Sequence, residues 1–173
     1  HVFGGEVEYN RKCKYFVSID YGTANAFAIN IFEMNGKNSR MIKEVHHDGR
    51  KQKRLDNEEY YKLMDEAVGD LPIEKVIVDP SAAGFIQTIV KYGKYIVEGA
   101  NNDVLNGIQE VTKYLNYGLI TIHESCIETI KEFQQYAWDD KNDDEVIKEN
   151  DHHLDALRYY IYGVARAYNV WVV

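Results

Sequence analysis

Apolar positions along the chain fall into runs of two kinds. Residues 15–20 (YFVSID), 26–34 (AFAINIFEM) and 40–47 (RMIKEVHH) are continuous or alternate with period two, the pattern of strands buried on one or both faces. Gly22 separates the first pair and the turn-forming Asn35-Gly36-Lys37-Asn38 the second. This predicts a three-strand antiparallel meander with its clearest hairpin at MNGKN. After the polar, basic stretch DGRKQKRLDN the period changes. Tyr61, Met64, Ala67 and Val68 recur at helical spacing over 58–68, with Asp56 or Asn57 placed to cap. Residues 75–79 (KVIVD) read as a short buried strand stopped by Pro80, and a helix follows from about Ala83 to Tyr92, with Ser81 near its start.

The alternation continues. KYIVEG is a further strand, and Val104, Ile108, Val111 and Leu115 give 103–117 the best amphipathic pattern in the chain. LITIH is a strand and 125–136 a helix. The acidic centre of 137–150 (AWDDKNDDEVIKEN) predicts a hairpin or mobile loop. From Asp151 to Tyr168, Leu154, Leu157, Tyr160, Ile161 and Val164 line one side of a long closing helix. Three meander strands followed by alternating helices and strands build an α/β domain whose mixed central sheet is flanked by helices. The ribonuclease H-like fold has this order of elements.

Composition adds bounds. With 173 residues, 45% hydrophobic and 28% charged, the chain is long enough for one domain with a substantial core. Its first 14 residues read as a connector from a missing N-terminal region, and 15–173 as the domain itself. No apolar run is long enough to span a membrane. Cys13 and Cys126 have no CxxC or Cys/His spacing around them, which argues against a disulfide framework or a zinc site. A net charge of -8 speaks at first against a nucleic-acid partner, because phosphate binding is driven by cations. That objection weakens if some of the acids form a cluster that divalent ions neutralise.

Asp20 ends the first strand and Asp79 the KVIVD strand. In α/β sheets, ligands bind outside the carboxyl ends of parallel strands. On the last helix, Asp151 and Asp155 stand four apart and so share a face; His152 lies beside Asp155, and His153 points elsewhere. Hard carboxylate oxygens suit Mg²⁺ or Mn²⁺, and two such ions can activate a water and stabilise a leaving oxygen in phosphodiester cleavage. Plainer roles exist for each residue. A strand-end Asp serves turns, Asp151 is a good N-cap, and a lone His is an ordinary surface residue. The joint placement is what points to chemistry.

Taken together, YFVSIDYGTANAFAI, KVIVDPSAAGFIQTI, VEGANNDVLNGIQEV and above all VIKENDHHLDALRYYIY resemble the C-terminal nuclease domain of the large terminase subunit of tailed bacteriophages, over about residues 14–168. The resemblance implies a ribonuclease H-like endonuclease that cuts concatemeric viral DNA during packaging, in the cytoplasm of an infected bacterium, with Mg²⁺ or Mn²⁺. It places the metal-binding acids on Asp20, Asp79 and Asp155, and the acid and histidine that open the helix motif on Asp151 and His152. It also implies double-stranded DNA, a preceding ATPase domain, the portal and the small terminase subunit as partners. This chain has no GxxxxGK[ST] loop, so it has no motor of its own.

Around this core, Arg50, Lys51, Lys53 and Arg54 form a basic cluster that suits either a DNA backbone or a solubilising loop, and Lys148 and Glu149 either approach the substrate or are solvated loop charges. Three rivals stand beside the nuclease reading. An actin- or Hsp70-like ATPase shares the IDYGTAN pattern but needs a second Asp-x-Gly phosphate loop, which the chain lacks. A Holliday-junction resolvase would use the same fold and the same acids. A non-catalytic docking domain would not need all three carboxylates.

Overall fold

The computed structural model describes residues 1–139 and 150–169. Strands β1 (Val2–Phe3), β2 (Lys14–Asp20), β3 (Ala26–Asn35), β4 (Asn38–Asp48), β5 (Ile73–Val78), β6 (Val97–Gly99) and β7 (Ile120–His123) form one sheet in the order β1-β7-β4-β3-β2-β5-β6. The meander is as expected: β3 pairs antiparallel with β2 (Lys14↔Met34, Asp20↔Ala28) and with β4 (Asn35↔Asn38, Ala26↔Asp48). All the other pairings are parallel. Among the described strands β3 therefore runs alone against the rest. β2 lies between β3 and β5, which explains why YFVSID is buried without alternation: neighbours and helices cover it on every side.

Two pairings are invisible to periodicity. β7 crosses to the far side of the sheet and pairs with β4 through Ser39↔Ile120 and Met41↔Ile122. β1, within the stretch expected to be a connector, pairs with β7. Both cover backbone groups that an edge strand would otherwise expose.

Helices cover both faces. α1 (Asn57–Val68) and α2 (Ala83–Tyr92) pack Tyr60, Tyr61, Met64, Phe85 and Ile89 against Val17, Ile19, Phe27 and Val78. α1 starts at a capping box in which Asp56 and Glu59 bond each other's backbone N–H. The opposite face carries α3 (Val104–Asn116), α4 (Ile127–Asp139) and the closing helix. Tyr114, Leu157, Tyr160 and Ile161 pack there on Phe16, Phe32 and Ile77, and Tyr160 stacks on Phe32 at 3.9 Å.

The closing helix is α5 (His152–Tyr160), a π-helical stretch Ile161–Ala165 and α6 (Arg166–Asn169). α4 runs through 137–139, where a loop or hairpin was expected, because no Gly or Pro stops it there. The rest of that expectation, with Lys148 and Glu149, lies outside the described residues.

Candidate active site

Sheet register brings the first two acids together. Ile19 and Val78 are paired across the parallel strands β2 and β5, and the Asp79 N–H donates to the Ile19 carbonyl at 3.1 Å. Asp20 and Asp79 are thus the next residues on adjacent strands, whose axes lie roughly 4.8 Å apart. Alternation sends both to the face that carries α5, the face of Phe16 and Ile77. Two buried side chains pin α5 across this end of the sheet. The Ser18 hydroxyl donates to the Ala156 carbonyl at 2.5 Å, and the Asn30 amide to the His153 carbonyl at 2.9 Å. The first turn of α5 then delivers the remaining candidates, Asp151, His152 and Asp155.

The geometry couples these groups. His152 Nδ1 bonds Asp20 Oδ2 at 2.8 Å, and the Tyr159 hydroxyl lies 3.5 Å from Asp20 Oδ1. Asp79 Oδ1 accepts from the Ser81 N–H at 3.0 Å and from its hydroxyl at 2.9 Å. Asp155 Oδ1 accepts from Arg158 Nη2 at 3.2 Å. Burial raises the Asp20 carboxyl above its usual range, against the pull of His152, and the charges of Asp79 and Asp151 push it further up. Burial, then the charges of Asp151 and Asp20, raise Asp155 to about 6. The bond to Asp20 raises His152, which favours an imidazolium–carboxylate pair. Carboxylates that repel one another in a partly desolvated pocket are an electrostatic deficit that a cation relieves.

As the side chains stand, no three of the described His, Cys, Asp and Glu residues converge closely enough to hold a metal ion. One oxygen of each of Asp20, Asp79 and Asp155 is turned to a protein donor instead. The donor set still suits a hard divalent ion. It is all carboxylate oxygen, it sits at the carboxyl ends of parallel strands, and its charges already raise one another's proton affinity. Rotation about χ1 and χ2 is what would turn these oxygens inward.

Other expectations are corrected or refined. Asp151 occupies the N-cap position of α5, but its side chain makes no capping bond. That job falls to Glu132 of α4, whose two oxygens accept from the N–H groups of His153 at 3.2 Å and Leu154 at 2.9 Å. His153 does point away from the acids. It is buried between His46 and Asn30, and its Nδ1 lies 2.6 Å from Asn30 Oδ1. The basic cluster is partly neutralised: Arg50 grips both oxygens of Asp48 at 3.1 Å, and Lys53 pairs with Glu59 at 2.9 Å. Arg50 also reaches Asn150 at 3.4 Å, so this loop lies against the entry to α5. Lys51 and Arg54 make no ion pair among the described residues. The Gly22-Thr23 turn, which could be mistaken for a phosphate cradle, is filled by its own backbone: a Cβ on Gly22 would lie 2.4 Å from the Ala26 carbonyl oxygen.

Arg158 and Tyr159 were not singled out in the sequence, although both sit inside the DHHLDALRY string at helical offsets from Asp155. Arg158 is buried, bonds Asn102 at 3.0 Å as well as Asp155, and threads its stem past Gly107 of α3. A Cβ at Gly107 would meet that stem at 2.7 Å, which explains a glycine in the middle of a helix. Glu132 carried no sequence signal, being one glutamate among several acids on a surface helix.

Comparison with known proteins bears on the family. A family model described as the terminase RNaseH-like domain matches residues 21–162. The large terminase subunit of Escherichia phage T5 is 30% identical over 101 residues, which cover 54% of this chain and 23% of that protein. The structure of the large terminase from the thermophilic bacteriophage D6E, solved with ADP, superposes with a TM-score of 0.84 at 36% identity, covering 95% of this chain and 42% of that one. The large terminase nuclease of the thermophilic phage G20c, solved with bound zinc and with bound cobalt, shares the fold at 10% identity. Its cobalt form gives a TM-score of 0.67, with 90% of this chain and 84% of that one covered. The chain thus spans less than half the length of the T5 and D6E proteins it matches. The sheet order, the acids at its end and these matches lead to one conclusion: the chain belongs to the terminase ribonuclease H-like domain family.

Proposed function

We propose that this domain is a metal-dependent DNA endonuclease that cuts concatemeric viral DNA during genome packaging, in the cytoplasm of the infected bacterial host. The observation that carries the reading is the placement of Asp20 and Asp79 at neighbouring strand ends, with Asp155 on the helix that crosses them, Asp20 and Asp155 each raised in proton affinity by burial and by neighbouring charge. In this reading Asp20, Asp79 and Asp155, with help from Asp151, hold two Mg²⁺ or Mn²⁺ ions. When bound, such ions supply an activated water and charge relief at the scissile phosphate. The zinc and cobalt in the G20c nuclease support divalent-ion binding in this fold.

The remaining roles belong to the chain itself. His152 bonds one oxygen of the Asp20 carboxylate beside the proposed ion site. Arg158 steadies Asp155 from the α3 side. The loop carrying Lys51 and Arg54, fastened to Asn150 through Arg50, contacts the DNA backbone. Such contacts carry no base information, so cut-site choice falls to partners: the ATPase domain of the same polypeptide, the portal and the small terminase subunit. Membership in the terminase family supports this reading over junction resolution.

The test is a crystal soaked in Mn²⁺ and measured at the manganese absorption edge, together with plasmid nicking by Asp20→Asn and Asp79→Asn. Manganese peaks between these carboxylates and loss of nicking are expected. Peaks elsewhere, or nicking retained by either variant, would overturn the assignment of that residue.

A further inference from the structure

The entry to α5 carries three of the candidate groups, yet its own N-cap side chain makes no capping bond. Asn150 has a positive φ of 68°, and Asp151 has φ -111 and ψ 22 with no capping bond. The first N–H groups of a helix need acceptors, and the ordinary solution is the side chain of the N-cap residue. Here that side chain is an acid of the candidate site. Were it to cap, its oxygens would face the backbone and not the pocket.

The acceptor comes instead from another helix. Glu132 of α4 is 6% exposed and places one oxygen on each of the His153 and Leu154 N–H groups. Burial pushes its carboxyl up to about 8, against these two backbone donors that favour the charged form. α4 is held by the same device one step back. Glu44 of β4 accepts from the Glu128 N–H at 2.7 Å, the Thr129 N–H at 3.0 Å and the Thr129 hydroxyl at 2.6 Å. Two carboxylates in series therefore tie the sheet to α4 and α4 to the start of α5. One peptide before His153, His152 reaches Asp20 at 2.8 Å, so a small rotation of this turn would break that contact.

We infer that Glu132 is a positioning residue of the nuclease site: by capping α5 from α4 it releases the Asp151 carboxylate for the pocket and sets the His152 imidazole on Asp20. This rests on the proposed nuclease reading for its consequence, although not for its geometry.

Glu132→Gln keeps the shape but turns one acceptor into a donor that faces a backbone N–H. The experiment compares this variant with the parent domain by amide hydrogen exchange, by the Nδ1 nitrogen shift of His152 at fixed pH, and by plasmid nicking and DNA affinity in Mn²⁺. Expected are at least tenfold faster exchange at His153 and Leu154, a displaced His152 Nδ1 signal, and nicking at least tenfold slower with the DNA Kd within twofold. Asp65→Ala, which removes the acceptor of the Lys94 ammonium and the Tyr95 hydroxyl late in α1, on the sheet face opposite α5, controls for plain loss of stability and keeps the parental rate. If Glu132→Gln fails to fold, Glu132→Asp, one methylene shorter, is read in the same way. Faster exchange with an unmoved His152 signal and an unchanged nicking rate would reduce Glu132 to a structural cap and overturn the inference. If the parent domain itself does not nick, the nuclease reading fails, and the His152 signal alone decides whether Glu132 positions the turn.

Discussion

Asp155→Asn separates a carboxylate kept for ion binding from one kept for structure. Burial and the charges of Asp151 and Asp20 raise its proton affinity from 3.8 to about 6. A rise of that size costs the ionised folded state on the order of 3 kcal/mol. Because the side chain is 32% exposed and pairs with Arg158, solvent screening reduces this to roughly 1–2 kcal/mol. The sign follows from proton binding. Between pH 3.8 and about 6 the folded chain holds a proton that the unfolded chain has released, so stability from this group is complete below that window and lost as pH rises through it. Asn keeps an oxygen for Arg158 and removes the charge. The variant is therefore expected to melt about 3–6 °C higher than the parent at pH 8, with the gap closing toward pH 4. Manganese should reverse the order, since a ligand at a hundred times its Kd stabilises by about 2.7 kcal/mol and only the parent should bind fully. Thermal unfolding at several pH values, with and without Mn²⁺, reads all of this. An Asn variant that is less stable at pH 8 without metal, or an equal manganese gain in both proteins, would refute the reasoning.

Further outcomes follow from neighbouring residues. His152→Ala should slow nicking while the melting temperature changes little, since the ring is partly exposed; an unchanged rate would return His152 to an ordinary surface role. Gly107→Ala should destabilise by about 1–3 kcal/mol by overpacking the Arg158 stem, and denaturant unfolding measures it. His153 is held neutral, its proton affinity lowered to about 3 mainly by burial, then by His46 and His152, while Glu44 at 3.9 Å is committed to the α4 cap. Below pH 6.5 the unfolded chain takes a proton that the folded chain refuses, so this group removes up to about 1.4 kcal/mol per pH unit down to about 3. Unfolding midpoints of His153→Gln against pH should show a shallower acid slope than the parent, and an equal slope would contradict the burial argument.

Local pattern determined much of this protein. Period-two runs and the Asn-Gly turn identify the meander, helical spacing identifies α1 and α3, and the i, i+4 relation puts Asp151 and Asp155 on one face; all of these depend only on neighbours in the chain. The KVIVD strand, ending in an acid, pointed to Asp79 because parallel strands share one open end. What the sequence left undecided needed partners from afar. β7 could have joined the sheet beside β6, and only the tertiary structure shows it paired with β4. Asp151 looked like a cap because capping is judged from its own helix, whereas the acceptor came from Glu132, nineteen residues earlier on a different helix. Arg50, which suited either a DNA backbone or a solubilising loop, reaches Asn150 a hundred residues away across the fold. Hydrogen bonds and buried charge are settled by which groups meet in space, and that is decided by tertiary packing and not by any stretch of sequence taken alone.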